Sequence, residues 1–341
     1  MAVVGPTAAG KSALSLALAR ELGGEVVNAD SMQLYRGMDI GTAKLRPAER
    51  GGVPHHLLDI WEVTHPASVA EYQRLARRAV DDILARGRVP LLVGGSGLYV
   101  RAVLDDLEFP GTDPRLRADL EAELARVGPG PLYERLRAAD PAAAAAILPS
   151  NGRRIVRALE VIALTGRPFT ARLPGPRPAY RSVQVAVDHP DLDARIEARV
   201  AQMWRQGLVA EVRALAARGL RQGRTARAAL GYQQVLAYLA GELTEEQAYA
   251  ETVRATRRFA RRQRTWFRRD PRPVWLDASR EDLVEAALAV IRRADATLAT
   301  AEPAGAEAPP AGEAPPVGAA PEVGEPAAVG ENQDPAGRRP G

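Results

Sequence analysis

The stretch Gly5-Pro-Thr-Ala-Ala-Gly-Lys-Ser12 decides the fold. A short apolar run precedes it and an apolar-periodic segment follows, which is the order of strand, glycine loop and helix in a phosphate-binding loop. Gly5 and Gly10 let the backbone approach a phosphate closely, and the helix N-terminus adds partial positive charge. Lys11 supplies a full charge, and the Ser12 hydroxyl is a candidate Mg²⁺ ligand. The motif predicts a bound phosphate compound without identifying it.

Composition and charge limit the class of protein. The 341 residues include no cysteine and no apolar run near 18 residues, so we expect no disulfide, zinc–thiolate site or membrane span. No signal peptide precedes the first strand, which favours a cytoplasmic protein. Four residues precede Gly5, and we interpret this as a short first strand or a start assigned too late. Residues 302–341 carry seven acidic and two basic residues, so the net charge of +4 leaves +9 on residues 1–301. A basic body predicts a polyanionic partner.

Further apolar runs predict a parallel sheet. Runs near positions 25–28, 89–93, 183–187 and 274–276 have the length of strands and alternate with helical segments. Asp30 follows the first of these runs. Ligands bind at the carboxyl ends of parallel strands, so we expect Asp30 beside the glycine loop. For Asp30 taken alone, a helix cap or turn residue is an equally good interpretation.

The chain divides by periodicity and composition. Helical periodicity dominates residues 110–180 and predicts a helical insertion domain between two parts of a core, 1–109 and 181–295. Residues 296–341 are mainly Ala, Pro, Gly and Glu and contain almost no large apolar side chain. Such a segment cannot bury enough surface to offset its ordering entropy, so we expect a disordered tail.

A long helix with an arginine-rich end is the second strong signal. Its start at Thr244 has a capping-box pattern, and eight arginines lie within residues 254–269 among Phe259, Trp266 and Phe267. Arginine pairs with phosphate in a bidentate fork, and aromatic rings stack on bases. A solvated charged face is the alternative, but a second basic cluster in the insertion weakens it. The combination favours group transfer to RNA.

Seven motifs in this order resemble the bacterial tRNA dimethylallyltransferases, also called tRNA isopentenyl transferases. The resemblance extends from Val3 to about Leu276, and the motifs occupy positions 5–12, 28–33, 54–60, 94–99, 153–161, 230–232 and 261–268. It implies an α/β fold with a P-loop nucleoside-triphosphate-hydrolase-like parallel sheet core, the helical insertion domain and the disordered C-terminal tail. The C-terminal helices of the core would bind tRNA.

The resemblance also implies an activity. A dimethylallyl group would pass from dimethylallyl diphosphate, with Mg²⁺, to N6 of the adenosine 3′-adjacent to the anticodon in tRNAs reading codons that begin with U. The family also implies a nucleotide-type (ATP-binding) phosphate loop, and we expect a monomer that binds the tRNA anticodon stem-loop and no membrane.

Site residues follow from the matching positions. Asp30 resembles the general base, Arg199 the arginine that contacts the leaving diphosphate, and Ser96 replaces a threonine with another hydroxyl. The matching diphosphate-binding positions are Gly5, Pro6, Thr7, Ala8, Ala9, Gly10, Lys11 and Ser12, with Ser12 also the Mg²⁺ ligand. The matching tRNA-contacting positions are Asp30, Ser31, Met32, Gln33, Ser96, Arg117, Arg153, Arg154, Ile155, Val156, Arg157, Ala228, Ala229, Leu230, Gly231, Tyr232, Gln233, Arg261, Arg262, Gln263, Arg264, Thr265, Trp266, Phe267 and Arg268.

Two departures and three alternatives accompany the resemblance. Arg153 replaces a common glutamine, and Ala228 stands where the family has arginine or glutamine, which leaves that contact open. An adenylate dimethylallyltransferase would use the same donor but needs no arginine-aromatic helix. A P-loop small-molecule kinase would release ADP. A non-catalytic RNA-binding module would give the glycine loop and Asp30 no purpose.

Overall fold

One parallel sheet organises the protein. The structure, a computed structural model, describes residues 1–169 and 175–300. Its six strands are β1 (Ala2–Val4), β2 (Gly24–Asn28), β3 (His55–His56), β4 (Val89–Gly94), β5 (Gln184–Asp188) and β6 (Val274–Asp277). They lie in the order β3-β2-β4-β1-β5-β6, and every pairing is parallel. The central strands are buried, which explains their continuous apolar runs. The predicted α/β fold is confirmed.

Helices cover the sheet and form the connections between its strands. They are α1 (Lys11–Glu21), α2 (Val69–Ala85), α3 (Gly97–Leu104), α4 (Pro114–Val127), α5 (Pro129–Ala139), α6 (Pro141–Ala146), α7 (Gly152–Thr165), α8 (Leu192–Arg205), α9 (Leu208–Ala217), α10 (Tyr232–Leu239), α11 (Glu245–Arg268) and α12 (Leu283–Thr300). No described helix is long and apolar enough to cross a bilayer. Residues up to Leu298 form one compact unit.

Capping side chains begin several helices where the sequence predicts them. The Asp113 carboxylate accepts hydrogen bonds from two amides of the first turn of α4. At α11, Thr244 Oγ1 accepts from the Gln247 amide, and the Gln247 side chain accepts from the Thr244 amide. These bonds satisfy amides that have no partner inside the helix, so local sequence alone sets these boundaries.

Three apolar clusters hold the structure together. The first, around Tyr72 and Tyr232, and the second, around Leu18 and Ile196, each include alternate residues of the central strands. Because successive strand residues point to opposite faces, the two clusters lie on opposite sides of the sheet. The third cluster involves α4–α7 and consists of residues between 116 and 169.

Two elements of the structure differ from the sequence-based predictions. The strand β3 was not predicted, because two residues are too few to show a period of two. Helix α12 continues to Thr300 and therefore includes residues 296–300, which the sequence analysis assigned to the tail. Alanine is a strong helix former, so an alanine-rich composition fits a helix end as well as a tail. The rest of the predicted tail, 301–341, lies outside the described residues.

Candidate active site

The glycine loop has the geometry of an anion site. Gly5 has φ +133°, and a Cβ there would lie 2.2 Å from Val187 O, so only glycine fits between β1 and β5. Gly10 has φ +100° and precedes α1 without a side-chain cap. Among the described residues, the amides of Lys11, Ser12 and Ala13 have no hydrogen-bond acceptor. Three free amides at a helix N-terminus are suited to bind phosphate oxygens.

Lys11 lies within this loop, where burial disfavours the charged form of its side chain. Its Nζ donates to Pro6 O at 2.7 Å. Burial, and after it the nearby Arg199, lower the pKa of Lys11 to about 8, and Asp30 opposes both effects. A bound diphosphate would restore a favourable environment for the ammonium group.

Helix α8 adds arginines beside the loop. Arg195 and Arg199 lie one turn apart, and both line the cavity described below, with Arg205 at the helix end. Arg195 Nε donates to Ala8 O at 2.9 Å. Burial lowers the pKa of Arg199, which Asp30 opposes and Arg195 reinforces. Arg199 has no ion-pair partner within the described ranges, so its charge is available to an anion.

Asp30 is held in place by a small hydrogen-bond network. Its Oδ1 accepts from the Met32 amide, and its own amide donates to Asn28 Oδ1, both at 2.9 Å. The Ser31 amide donates to Ser96 Oγ at 3.3 Å, which joins the end of β2 to the turn between β4 and α3. The carboxylate is therefore held through Oδ1, and within residues 1–169 and 175–300 no hydrogen-bond donor contacts Oδ2.

These groups surround one cavity of about 530 Å³. Of the predicted site residues it brings together Thr7, Ala8, Gly10, Lys11, Ser12, Asp30, Gln33, Arg199 and Gln263. Gly5, Pro6 and Ala9 of the glycine loop are buried and do not line the cavity. Ser31, Met32 and Ser96 lie close to Asp30 but do not line the cavity either. Several cationic side chains and a single carboxylate thus line one space that is large enough for a small substrate.

The arginine-rich end of α11 has two faces. Arg261, Arg262, Thr265 and Trp266 are exposed and, with Arg258 and Arg269, line an open surface cavity of about 510 Å³. On the other face Arg264 donates to Asp188 Oδ1 at 2.8 Å, Gln263 and Phe267 are buried, and the Arg268 guanidinium lies 5.5 Å from the Trp275 ring centroid. Of the predicted tRNA positions on α11, four therefore lie on the open basic surface.

The predicted positions in the insertion lie in a separate group. Arg117 and Arg157 both bind the buried Glu160, and Arg157 also donates to Pro110 O at 2.7 Å. Burial disfavours charge on Glu160, but the two arginines outweigh it and hold the pKa of this carboxyl below its usual value. Arg153 and Arg154 are exposed, whereas Ile155 and Val156 belong to the third apolar cluster. None of these six predicted positions lines the central cavity.

The predicted positions 228–233 pack against a loop beside the cavity. Ala228 and Gln233 are exposed and Leu230 is half-buried, while Ala229, Gly231 and Tyr232 are buried. Tyr232 Oη donates to Glu211 Oε1 at 2.5 Å. The Glu211 carboxylate also accepts from three successive amides, at residues 39, 40 and 41, at 2.7–3.2 Å. Thr42, the next residue, lines the cavity, and its carbonyl accepts from Gln33 Nε2 at 3.0 Å.

Sequence reasoning missed several residues of this site. Asn28, Thr42, Arg195 and Arg205 line the cavity without having been assigned a role. The four-residue spacing of Arg195 and Arg199 is a signal that could have identified Arg195, since both lie on one helix face. Glu211 had no such signal, because the amides that it binds are about 170 residues away in sequence.

The fold and site together define an α/β protein of the P-loop class. The profile of the family described as IPP transferase matches residues 33–270. The chain is 75% identical over 296 residues to the tRNA dimethylallyltransferase of Salinispora arenicola, covering 86% of each chain. It is 69% identical over 298 residues to that of Streptomyces coelicolor, covering 86% of this chain and 96% of the relative.

Solved structures agree with these sequence matches. The tRNA isopentenylpyrophosphate transferase of Bacillus halodurans superimposes with a TM-score of 0.65 at 40% identity, covering 87% of this chain and 98% of its own. A eukaryotic dimethylallyltransferase acting on tRNA gives a TM-score of 0.72 at 26% identity, covering 87% and 79%. The chain belongs to the IPP transferase family, and the predicted resemblance is confirmed.

Proposed function

We propose that this protein is a tRNA dimethylallyltransferase that modifies N6 of the adenosine 3′-adjacent to the anticodon in tRNAs reading codons that begin with U. One observation carries the chemistry: Lys11, Arg199, the first residues of α1 and Asp30 line a single cavity. Family membership carries the prenyl donor and the tRNA acceptor.

The cationic side of the cavity suits the donor. In the reaction the adenine N6 attacks the allylic C1 of dimethylallyl diphosphate, the new N–C bond forms, and the C1–O bond breaks with its electron pair leaving on the diphosphate. Negative charge therefore develops on the bridging oxygen. Lys11, Arg199 and the amides at the start of α1 are positioned to bind that charge, and such preorganised stabilisation is usually the largest contribution to catalysis.

Asp30 suits the acceptor. An exocyclic amine is a weak nucleophile because its lone pair is delocalised into the purine ring. A carboxylate within hydrogen-bond reach accepts the N6 proton as the N–C bond forms. Asp30 Oδ1 is occupied by the Met32 amide, so we assign the proton to Oδ2. Ser96 contacts the Ser31 amide and acts in our proposal by holding Asp30 in place.

Magnesium fits this site as a companion of the diphosphate. The Ser12 hydroxyl lines the cavity and donates to no acceptor within the described ranges, and those ranges contain no cluster of three acidic or histidine ligands. One hydroxyl with substrate oxygens and water is a donor set that Mg²⁺ accepts. When bound there it would neutralise charge on the diphosphate.

The acceptor RNA would lie along the exposed basic surfaces. We assign tRNA phosphates and bases to the open face of α11, with Arg261, Arg262 and Trp266, and to Arg153 and Arg154 of the insertion. The target base must leave its stack to reach Asp30, and basic faces on both sides can hold the displaced strand. We further propose a cytoplasmic monomer.

Mass spectrometry of tRNA nucleosides tests the proposal. Purified protein with dimethylallyl diphosphate, Mg²⁺ and an unmodified tRNA transcript should yield N6-dimethylallyladenosine at the position after the anticodon. Rapid prenylation of AMP with no product in tRNA would instead identify an adenylate dimethylallyltransferase. ADP release coupled to phosphorylation of an acceptor would identify a kinase.

A further inference from the structure

We propose that Gln263 is a positioning residue that holds the donor loop and the acceptor-side turn in one fixed arrangement. This inference rests on the proposed function. Gln263 was predicted as an RNA contact. Here it takes a role inside the protein instead, at the junction of the two halves of the site.

The Gln263 side chain bridges two loops. Its Oε1 accepts from the Thr7 amide at 2.9 Å, and its Nε2 donates to Gly95 O at 2.9 Å. Thr7 belongs to the glycine loop after β1, and Gly95 to the turn after β4. The Gln263 residue is only 6% exposed, and its bond to Gly95 O is buried, so breaking that bond would leave a buried carbonyl without its partner.

The surrounding backbone is built for this bridge. A Cβ on Gly95 would lie 2.2 Å from Gln263 Nε2, so the absence of a side chain lets the amide reach the carbonyl. One turn further along α11, Trp266 packs against the start of α3, where a Cβ on Gly97 would lie 2.0 Å from its Nε1. Helix α11 therefore contacts both sides of Ser96 at close range.

The bridge fixes the distance between donor and acceptor groups. Thr7 lies in the loop with Lys11, whereas Gly95 adjoins Ser96, whose hydroxyl contacts the residue after Asp30. A displacement of about 1 Å between reacting groups is enough to cost roughly a hundredfold in rate. Without the amide, the half-buried N–H of Thr7 and the buried C=O of Gly95 would both lose their partner, and the two loops would be free to separate.

The test uses Gln263→Met, which keeps the length of the side chain but cannot bond to either loop. The matched control is Thr252→Val, because Thr252 is also buried on α11 and loses one side-chain hydrogen bond, to Ala248 O, far from the cavity. For each variant we would measure kcat and KM for dimethylallyl diphosphate and for tRNA, the melting temperature, and the binding of inorganic diphosphate by calorimetry.

We expect Gln263→Met to lower kcat/KM for the donor at least tenfold and to weaken diphosphate binding, with KM for tRNA within threefold of wild type. Thr252→Val should leave both substrates unchanged at a similar melting temperature. Gln263→Glu should accept from Thr7 but repel Gly95 O, so its donor kcat/KM relative to wild type should rise as the pH falls and the carboxyl gains a proton.

Two results would overturn the inference: donor kinetics of Gln263→Met equal to those of the control, or a KM for tRNA that rises as much as the KM for dimethylallyl diphosphate. Calorimetry separates this inference from the proposed function. If wild-type protein does not prenylate tRNA but Gln263→Met still weakens diphosphate binding, the activity is wrong and the bridge stands. If wild type is active and Gln263→Met behaves as the control, only the bridge is wrong.

Discussion

At the residue scale, Asp30 combines a structural and a proposed chemical role. One oxygen accepts from the Met32 amide, as a turn residue does, while the residue lines the same cavity as Lys11 and Arg199. The two interpretations open from sequence are therefore compatible. A fixed carboxylate is also a better base, because no reorganisation is required before proton transfer.

We expect Asp30→Asn to lower kcat by about 10²–10⁴ while tRNA affinity changes little, since a general base acts mainly in the transition state. Asparagine retains an oxygen for the Met32 amide, so the turn should persist, and Asp30→Ala serves as the comparison. Single-turnover prenylation and tRNA binding by filter retention would measure the two effects. Loss of tRNA binding with retained chemistry would contradict the assignment.

Lys11 should give donor binding a characteristic pH dependence. Its pKa is lowered to about 8 by burial and Arg199, and a bound diphosphate favours the protonated form. Affinity should therefore be nearly constant below about pH 8 and fall up to tenfold per pH unit above it. Calorimetric titration of dimethylallyl diphosphate from pH 7 to 9.5 would measure this, and Lys11→Met should lose the decline along with most of the affinity.

At the element scale, α11 serves two surfaces at once. Its buried face carries Gln263 and Phe267, and its open face carries Arg261, Arg262 and Arg269, which have no acidic partner among the described residues. Arg257 and Arg258 pair with Glu197 and Glu251. The density of arginine in the sequence predicted a basic helix, but only the structure separates the arginines that are already paired.

Arg262→Ala should weaken tRNA binding and reduce the slope of log affinity against log salt by about one, because one phosphate contact is lost. Arg257→Ala is the matched control, since this arginine is bound to Glu197 and should change the slope little. Diphosphate affinity should stay constant in both. Equal salt slopes for wild type and Arg262→Ala would exclude a phosphate contact at this position.

Elements and motifs were predictable where their signals are local. The glycine loop, the Thr244 cap and the run of β4 depend on neighbouring residues, so sequence specifies them. The contacts of Gln263 with Thr7 and of Glu211 with residues 39–41 join segments about 256 and 170 residues apart. No periodicity or spacing encodes such contacts, because they exist only once the sheet is assembled.

At the scale of the whole molecule, an ion cluster around the buried Glu25 joins the edge of the sheet to the end of α2. Glu25 on β2 is 3% exposed and binds Arg86, Arg88 and His56 of β3.

We also propose, from the separate apolar cluster of α4–α7, that residues 110–180 form an insertion domain between core segments 1–109 and 181–295.

The ion cluster around Glu25 should make the stability of the fold depend on pH in the acid range. Hydrogen bonds from Arg86 lower the pKa of Glu25 from 4.5 to about 2, against the opposing effect of burial. Because the folded pKa is the lower one, Glu25 contributes stability above about pH 4.5 that is lost as the pH falls towards 2. Urea unfolding of wild type and Glu25→Gln should differ at pH 7 and converge near pH 2.

The position of β1 in the sheet has a consequence for synthesis on the ribosome. Its residues pair with 92–94 on one side and 184–186 on the other, so the central strand is translated early and receives its last neighbour some 180 residues later. At about 5–20 residues per second, this interval lasts roughly 10–40 s. During it Val3 and Val4 have an open edge, which is a hazard for aggregation. We expect arrested nascent chains to resist protease only after β5 has emerged.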